Sequence, residues 1–124
     1  MEFIAQPLLV DEQNLFDQGR SLFNEGKYWH AHESWEDLWN MLKKREATQQ
    51  EILLIQGLIQ TAALLFQYER GNLIGVQKQW DKLQPKLHGW QHAWGVDIFS
   101  HLGQIEQVVL GIHANDCFYR TILL

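Results

Sequence analysis

The stretch from Gln49 to about Arg70 limits the possible folds of this chain more than any other, because it is apolar nearly all round. A helix without a polar face has to be enclosed, so the stretch predicts a central helix with the others packed around it. Its longest apolar part, Ile52 to Phe66, runs for about fifteen residues where a bilayer crossing needs about twenty. It is also interrupted by Gln56, Gln60 and Thr61, so we read it as a buried core helix. The exceptions are ordered, since Gln56, Gln60 and Gln67 follow i, i+4, i+11 spacing along one stripe. Gly57 and Ala62 or Ala63 would let neighbouring helices come close.

Other segments supply those neighbours. Residues 1–10 show no periodicity and read as an arm laid on the surface. Asp11 is an expected N-cap, after which Leu15, Phe16, Gly19, Leu22 and Phe23 form one helical stripe. Asn24 to Lys27 is a tight turn with Gly26 at a left-handed helix end. A second helix starts near Tyr28, with Tyr28, Ala31, Trp35, Leu38, Trp39 and Leu42 on one face, and the charged run Lys43 to Glu46 ends it. Thr48 and Glu51 have capping-box spacing and mark the start of the central helix. Gly71-Asn72 makes the next turn. Leu73, Val76, Trp80, Leu83 and Leu87 then define a fourth helix, which Pro85 is expected to end or kink. His88 to Val96 reads as a loop, Asp97 as the cap of a fifth helix, and the tail from Asn115 is too short to classify.

A weak repeat with an offset of 45 residues pairs Gly26, Tyr28, Trp35, Glu36 and Leu38 with Gly71, Leu73, Trp80, Asp81 and Leu83. Two helical hairpins of this kind resemble tetratricopeptide helix pairs. The expected fold is therefore all-α. It is one domain over residues 1–124, a single compact bundle of about five helices with tetratricopeptide-like hairpins around the central helix.

Composition excludes several roles. Apolar residues make up 46% and charged residues 20%, which is ordinary globular composition. A net charge of −5 gives no basic footprint for nucleic acid or for an anionic membrane surface. The short basic run Lys43-Lys44-Arg45 reads as a solvated loop. Cys117 is the sole cysteine, which leaves no intrachain disulfide and fits a reducing, cytoplasmic setting.

Chemistry concentrates on the second helix, which reads Tyr28-Trp29-His30-Ala31-His32-Glu33-Ser34-Trp35-Glu36-Asp37-Leu38-Trp39. His32 and Glu36 are one turn apart at the polar border of the tryptophan stripe. Glu33 lies about 100° further round, so the three are expected to share one cleft, walled by Trp29 and Trp39. Three readings compete. In one, His32 and Glu36 bind a divalent metal and Glu33 is the general base of a hydrolase, with a third ligand from Asp81, His88 or His92. In another, no cofactor is needed, and His32 and Glu36 face Gln56 and Gln60 to bind a small polar ligand or a protein partner. There Glu36 accepts, His32 donates and responds to pH, and the two glutamines orient the ligand. In the last, a His–Glu–Gln network only fixes the register of two helices.

Elsewhere, His88 and His92 read as surface histidines. Trp90 and Trp94 are expected to be partly buried under the last helix. Six tryptophans in 124 residues lead us to expect one exposed aromatic patch, for which a twofold homodimer is the commonest use.

The chain resembles a bacterial and archaeal family, the domain of unknown function numbered 309. The resemblance rests on Phe16, Gly19, Leu22-Phe23-Asn24-Glu25-Gly26 and Tyr28, and on Ala31-His32-Glu33, Trp35-Glu36 and Leu38-Trp39. Gln56-Gly57-Leu58-Ile59-Gln60, Ala62-Ala63 and Arg70-Gly71-Asn72 complete it. It covers about residues 11–88 and leaves 89–124 as a C-terminal helix and tail. It implies a small all-helical bundle with the His-Glu helix packed on the central one. The family's hallmark positions fall on His32, Glu33, Glu36, Trp39, Gln56 and Gln60. Trp35 stands where a smaller apolar residue is frequent, which suggests a narrower pocket. The resemblance brings no established activity.

Overall fold

A computed structural model describes residues 3–113 and 122–124 of the chain. Five helices account for most of them: α1 Val10–Asn24, α2 Tyr28–Lys44, α3 Gln49–Glu69, α4 Leu73–Leu87 and α5 Ile98–His113. Two glycines set the hairpins. Gly26 at φ 78° and Gly71 at φ 73° occupy the left-handed region, where a side chain is strained. The same pair of bonds surrounds each. Gly26 N–H donates to the Phe23 carbonyl and Lys27 N–H to that of Leu22, while Gly71 and Asn72 N–H donate to Tyr68 and Gln67. This is the Schellman pattern of a helix end. The 45-residue repeat is therefore one turn design used twice, for α1–α2 and for α3–α4.

The central position of α3 follows from its composition. It packs on α2 at one side and α4 at the other, while α1 packs on α2 and α5 on α4. Leu54, Ile55, Leu58, Ala62, Leu64 and Leu65 of α3 are fully buried. The α3 helix has 21 residues, longer than the apolar run alone suggested, and is long and apolar enough to cross a membrane by length and composition. In this fold 56% of its most apolar window is buried within the protein. Thr48 and Glu51 form the expected capping box at its start.

Close approach of helices falls at glycines. A Cβ on Gly57 would stand 2.7 Å from Leu87 Cδ2 of α4. A Cβ on Gly19 would overlap the Trp35 indole, which is fully buried and donates from Nε1 to the Phe16 carbonyl at 3.2 Å. Trp35 thus points at α1, between Phe16 and Phe23, and does not narrow the polar cleft between α2 and α4 described below. Gly19→Ala is expected to cost about 1–2 kcal/mol, as overpacking outweighs the helix propensity gained. A lowered urea midpoint with an unchanged slope is the check.

The basic run is not a solvated loop, because Lys43 and Lys44 form the last turn of α2 and Arg45 is its C-cap. Arg45 pairs with Glu12 of α1 at 2.6 Å and 3.1 Å, and Glu12 is 1% exposed. Glu12 also accepts the Leu9 N–H at 3.0 Å, so Glu12 and not Asp11 serves the start of α1. Burial raises the Glu12 pKa, but the Arg45 hydrogen bond, the Leu9 N–H and the Arg45 charge outweigh it and hold the carboxyl below its ordinary value. Its stabilising contribution is present above the ordinary carboxylate range and is lost as pH falls through the lowered value. Removing one partner of a fully buried pair costs about 3–5 kcal/mol. The Arg45 side chain is 34% exposed, so water relieves part of that. Arg45→Ala is expected to lose about 2 kcal/mol in urea unfolding at pH 7, and Glu12→Gln should remove most of the further effect of Arg45→Ala.

Three details differ from expectation. Pro85 does not end α4, which continues to Leu87, although its missing N–H forfeits the helical bond to the Asp81 carbonyl. Residues 88–96 are not simply a loop, because His92–Ala93 (β1) and Val96–Asp97 (β2) pair antiparallel across a turn at Trp94-Gly95. Both turn residues have positive φ, 53° and 82°, as a two-residue hairpin requires. Trp90 is fully buried against Phe3, whereas Trp94 is partly buried and donates to the Gln6 carbonyl at 2.9 Å. Asp97 caps α5 through Ser100 N–H, as its position suggested. The N-terminal arm is tied down where Gln6 N–H donates to Glu51 at 2.7 Å. Leu124 is held by Asn24 and Arg20 of α1. Cys117 lies outside the described residues.

Candidate functional site

Because α3 is a shared floor, α2 and α4 rise on either side of it and leave a cleft between them. His32, Glu36 and Trp39 come from α2, Gln56, Ile59, Gln60 and Ala63 from α3, and Gln79 and Lys82 from α4. The volume is about 250 Å³, below the usual range for drug-sized ligands and fitting a small one. Helical spacing explains the membership. His32 and Glu36 are one turn apart on α2, as are Gln56 and Gln60 on α3, so each pair lines one side.

His32 Nε2 lies 3.3 Å from Glu36 Oε1, and the imidazole stacks on Trp29 with ring centroids 5.1 Å apart. The ring is therefore fixed from one face and at one nitrogen. Its other nitrogen, Nδ1, is buried with no hydrogen-bond partner among the described residues. The same holds for Trp39 Nε1, whose ring carries Lys43 Nζ 3.4 Å from its centroid. Gln60 Oε1 accepts from Lys86 Nζ at 2.9 Å, while Gln56 has no side-chain hydrogen bond among the described residues. Burial, and then the neighbouring Lys82 charge, push the Lys86 pKa down.

Of the six residues singled out in the sequence, five line the cleft and one does not. Glu33 is exposed and pairs with His30 at 3.4 Å. One residue of helical rotation is enough to turn it out of the cleft. Trp29 is 54% exposed, and it clamps the face of His32 and meets Phe66 rather than walling the cleft. Glu33 therefore stands outside the cleft that His32 and Glu36 line. Among the described residues no three His, Cys, Asp or Glu side chains gather as a metal site. Asp81 is bonded to Gln77, and His92 stands by Asp97. Among the described residues neither glutamine makes a direct hydrogen bond to His32 or Glu36.

Besides Glu12, a second buried polar group escaped the sequence reading. His101 of α5 is 1% exposed, and its Nε2 stands 3.0 Å from Thr61 Oγ1. That hydroxyl donates to the Leu58 carbonyl at 2.7 Å, so it accepts from His101 and assigns the proton to Nε2. Burial drives the His101 pKa down to about 3. Thr61, an odd residue inside the most apolar stretch, was the available signal.

Fold and site together define a small all-α protein of paired helical hairpins with one polar cleft across its central helix. The chain belongs to the family described as a domain of unknown function, DUF309, whose model matches residues 16–79, more than half of its length. No curated protein and no solved structure matches it. The matched segment holds every cleft residue of α2 and α3, together with Gln79. Lys82 and Lys86 lie beyond it.

Proposed function

We propose that this protein is a binding domain for a small polar ligand, with its site in the cleft of His32, Glu36, Trp39, Gln56 and Gln60. The observation that carries this reading is unused hydrogen-bonding capacity. A polar network kept for folding spends its groups on one another, because each buried unpaired group costs about 1–3 kcal/mol. Here His32 Nδ1 and Trp39 Nε1 are buried without a partner among the described residues, half-exposed Gln56 makes no side-chain hydrogen bond, and all three residues line one cleft. Glu36 holds His32 in place, Gln60 is oriented by Lys86, and Gln56 keeps both amide functions for a ligand. The setting we expect is cytoplasmic.

The test is ligand-shift melting with panels of small acids, phosphate esters, amides and sugars, on wild type and on His32→Ala/Trp39→Phe. At least one chemical class should raise the melting temperature of the wild type and leave the double variant unmoved. A ligand at a hundred times its Kd adds about 2.7 kcal/mol to stability, an effect easily read. A wild type that no class moves, or shifts equal in both proteins, contradicts the proposal.

A further inference from the structure

We infer that the ligand is a small oxyanion, a carboxylate or phosphate group, held between the lysines of α4 and the indole of Trp39. This inference rests on the binding reading above and names the chemistry of its ligand. The chain is acidic overall, with 15 Asp and Glu against 10 Lys and Arg. The cleft lining itself balances Lys82 against Glu36, and two further lysines stand at its margin. Lys82 lines it, Lys86 reaches its edge by donating to Gln60, and Lys43 covers the face of Trp39. Among the described residues none of these three lysines has a carboxylate within ion-pair distance, whereas buried Glu12 does have its Arg45. The one acidic side chain in the cleft, Glu36, is directed to His32.

Helical geometry places the charges together. Lys82 and Lys86 are one turn apart on α4, and the Lys82 charge adds to burial in making charge on Lys86 costly, which an anion between them would relieve. The Gln60 carbonyl is taken up by Lys86, which leaves its amide N–H₂ as a donor. Trp39 Nε1 can only donate. The Lys82 charge and the donors left on Gln60 and Trp39 are the groups that recognise an oxyanion and reject a cation. A cleft of about 250 Å³ limits the ligand to metabolite size.

The experiment follows the indole N–H resonance of Trp39, assigned with Trp39→Phe, in a proton–nitrogen correlation spectrum of the full chain. Inorganic phosphate, acetate and acetamide are titrated, each against sodium chloride at matched ionic strength. The inference expects saturable movement of that resonance with phosphate, acetate or both, and none with chloride or acetamide. Phosphate alone identifies a phosphate ester as the ligand class, and acetate alone a carboxylate. Lys82→Gln and Lys86→Gln should each weaken binding about tenfold, while Lys78→Gln, with the same charge change outside the cleft, should leave it unaltered. The dispersed spectrum reports folding of each variant, and the exposed Lys82 keeps the test open if Lys86→Gln unfolds. Acetamide binding as well as acetate overturns the anion inference and leaves the polar site standing. No movement with any of the three overturns the anion inference, and a flat melting panel beside it overturns the site as well.

Discussion

Trp35→Ala should lose about 3–5 kcal/mol of stability, the range for removing a buried tryptophan from a well-packed core. Few proteins of this size have more than about 5–15 kcal/mol to lose. The physical reason is position. Trp35 is fully buried, fills the notch left by Gly19, and lies between Phe16 and Phe23. Alanine leaves a void bounded by two helices whose spacing the Gly26 turn already fixes, so collapse cannot close it. Trp35→Phe should recover most of the loss, because the Phe16 carbonyl keeps its helical bond when the indole N–H is removed. Urea unfolding checks both variants, and a loss below about 1 kcal/mol for Trp35→Ala contradicts this account of the α1–α2 contact.

Acid should destabilise the protein before its carboxylates titrate, and His101 is the cause. In the fold its pKa is held down to about 3 by burial, whereas an unfolded histidine titrates near about 6.5. The stabilising effect of keeping it neutral is complete above the unfolded pKa. It is lost as pH falls, because the unfolded chain takes up a proton that the native state refuses. The loss is about 1.4 kcal/mol per pH unit below about 6.5, so roughly 2 kcal/mol by pH 5. It reaches about 4–5 kcal/mol near pH 3. Glu12 acts lower in the pH range, since its carboxyl is held below the ordinary value. Comparing urea unfolding at pH 7.5 and pH 5 therefore isolates the histidine. His101→Gln should flatten the wild-type dependence over that interval, even if it lowers stability at pH 7.5. An equal slope in both proteins would mean that other groups carry it.

Much of this fold could be read before any coordinates, and the reasons are local. The Gln49–Arg70 stretch has no polar face, and it became the buried centre. Gly26 and Gly71 each follow a helical stripe, and both became left-handed turns. Thr48 with Glu51, and Asp97 with Ser100, are caps written within four residues. What escaped was decided over longer distances. Nothing near Arg45 announces Glu12, 33 residues earlier, so a basic run looked solvated. His101 and Thr61 are 40 residues apart and meet only in the folded chain. Pro85 was weighed as a helix breaker, but its place in the final turn of α4 could not be seen without the end at Leu87.

The candidate site divides in the same way. Spacing along α2 and α3 put His32, Glu36, Trp39, Gln56 and Gln60 on facing stripes, and they share one cleft. Spacing also placed Glu33 in that cleft, and it faces solvent instead, since 100° of rotation can point into a cleft or out of it. The contribution of α4 was invisible, because Lys82 and Lys86 belong to an ordinary-looking amphipathic helix until α3 joins it to α2.

The central claim is that the polar groups of this cleft are kept for a ligand and not for folding. The most direct measurement is the unfolding free energy of Gln56→Leu and Trp39→Phe in urea at pH 7. Each removes hydrogen-bonding capacity that the fold does not use, and leucine would sit beside Ile59 and Ala63. The account predicts stability within about 0.5 kcal/mol of wild type, or above it. A loss of about 1–3 kcal/mol in either variant would show that these groups are paired in the folded protein, and the cleft would then be part of its framework.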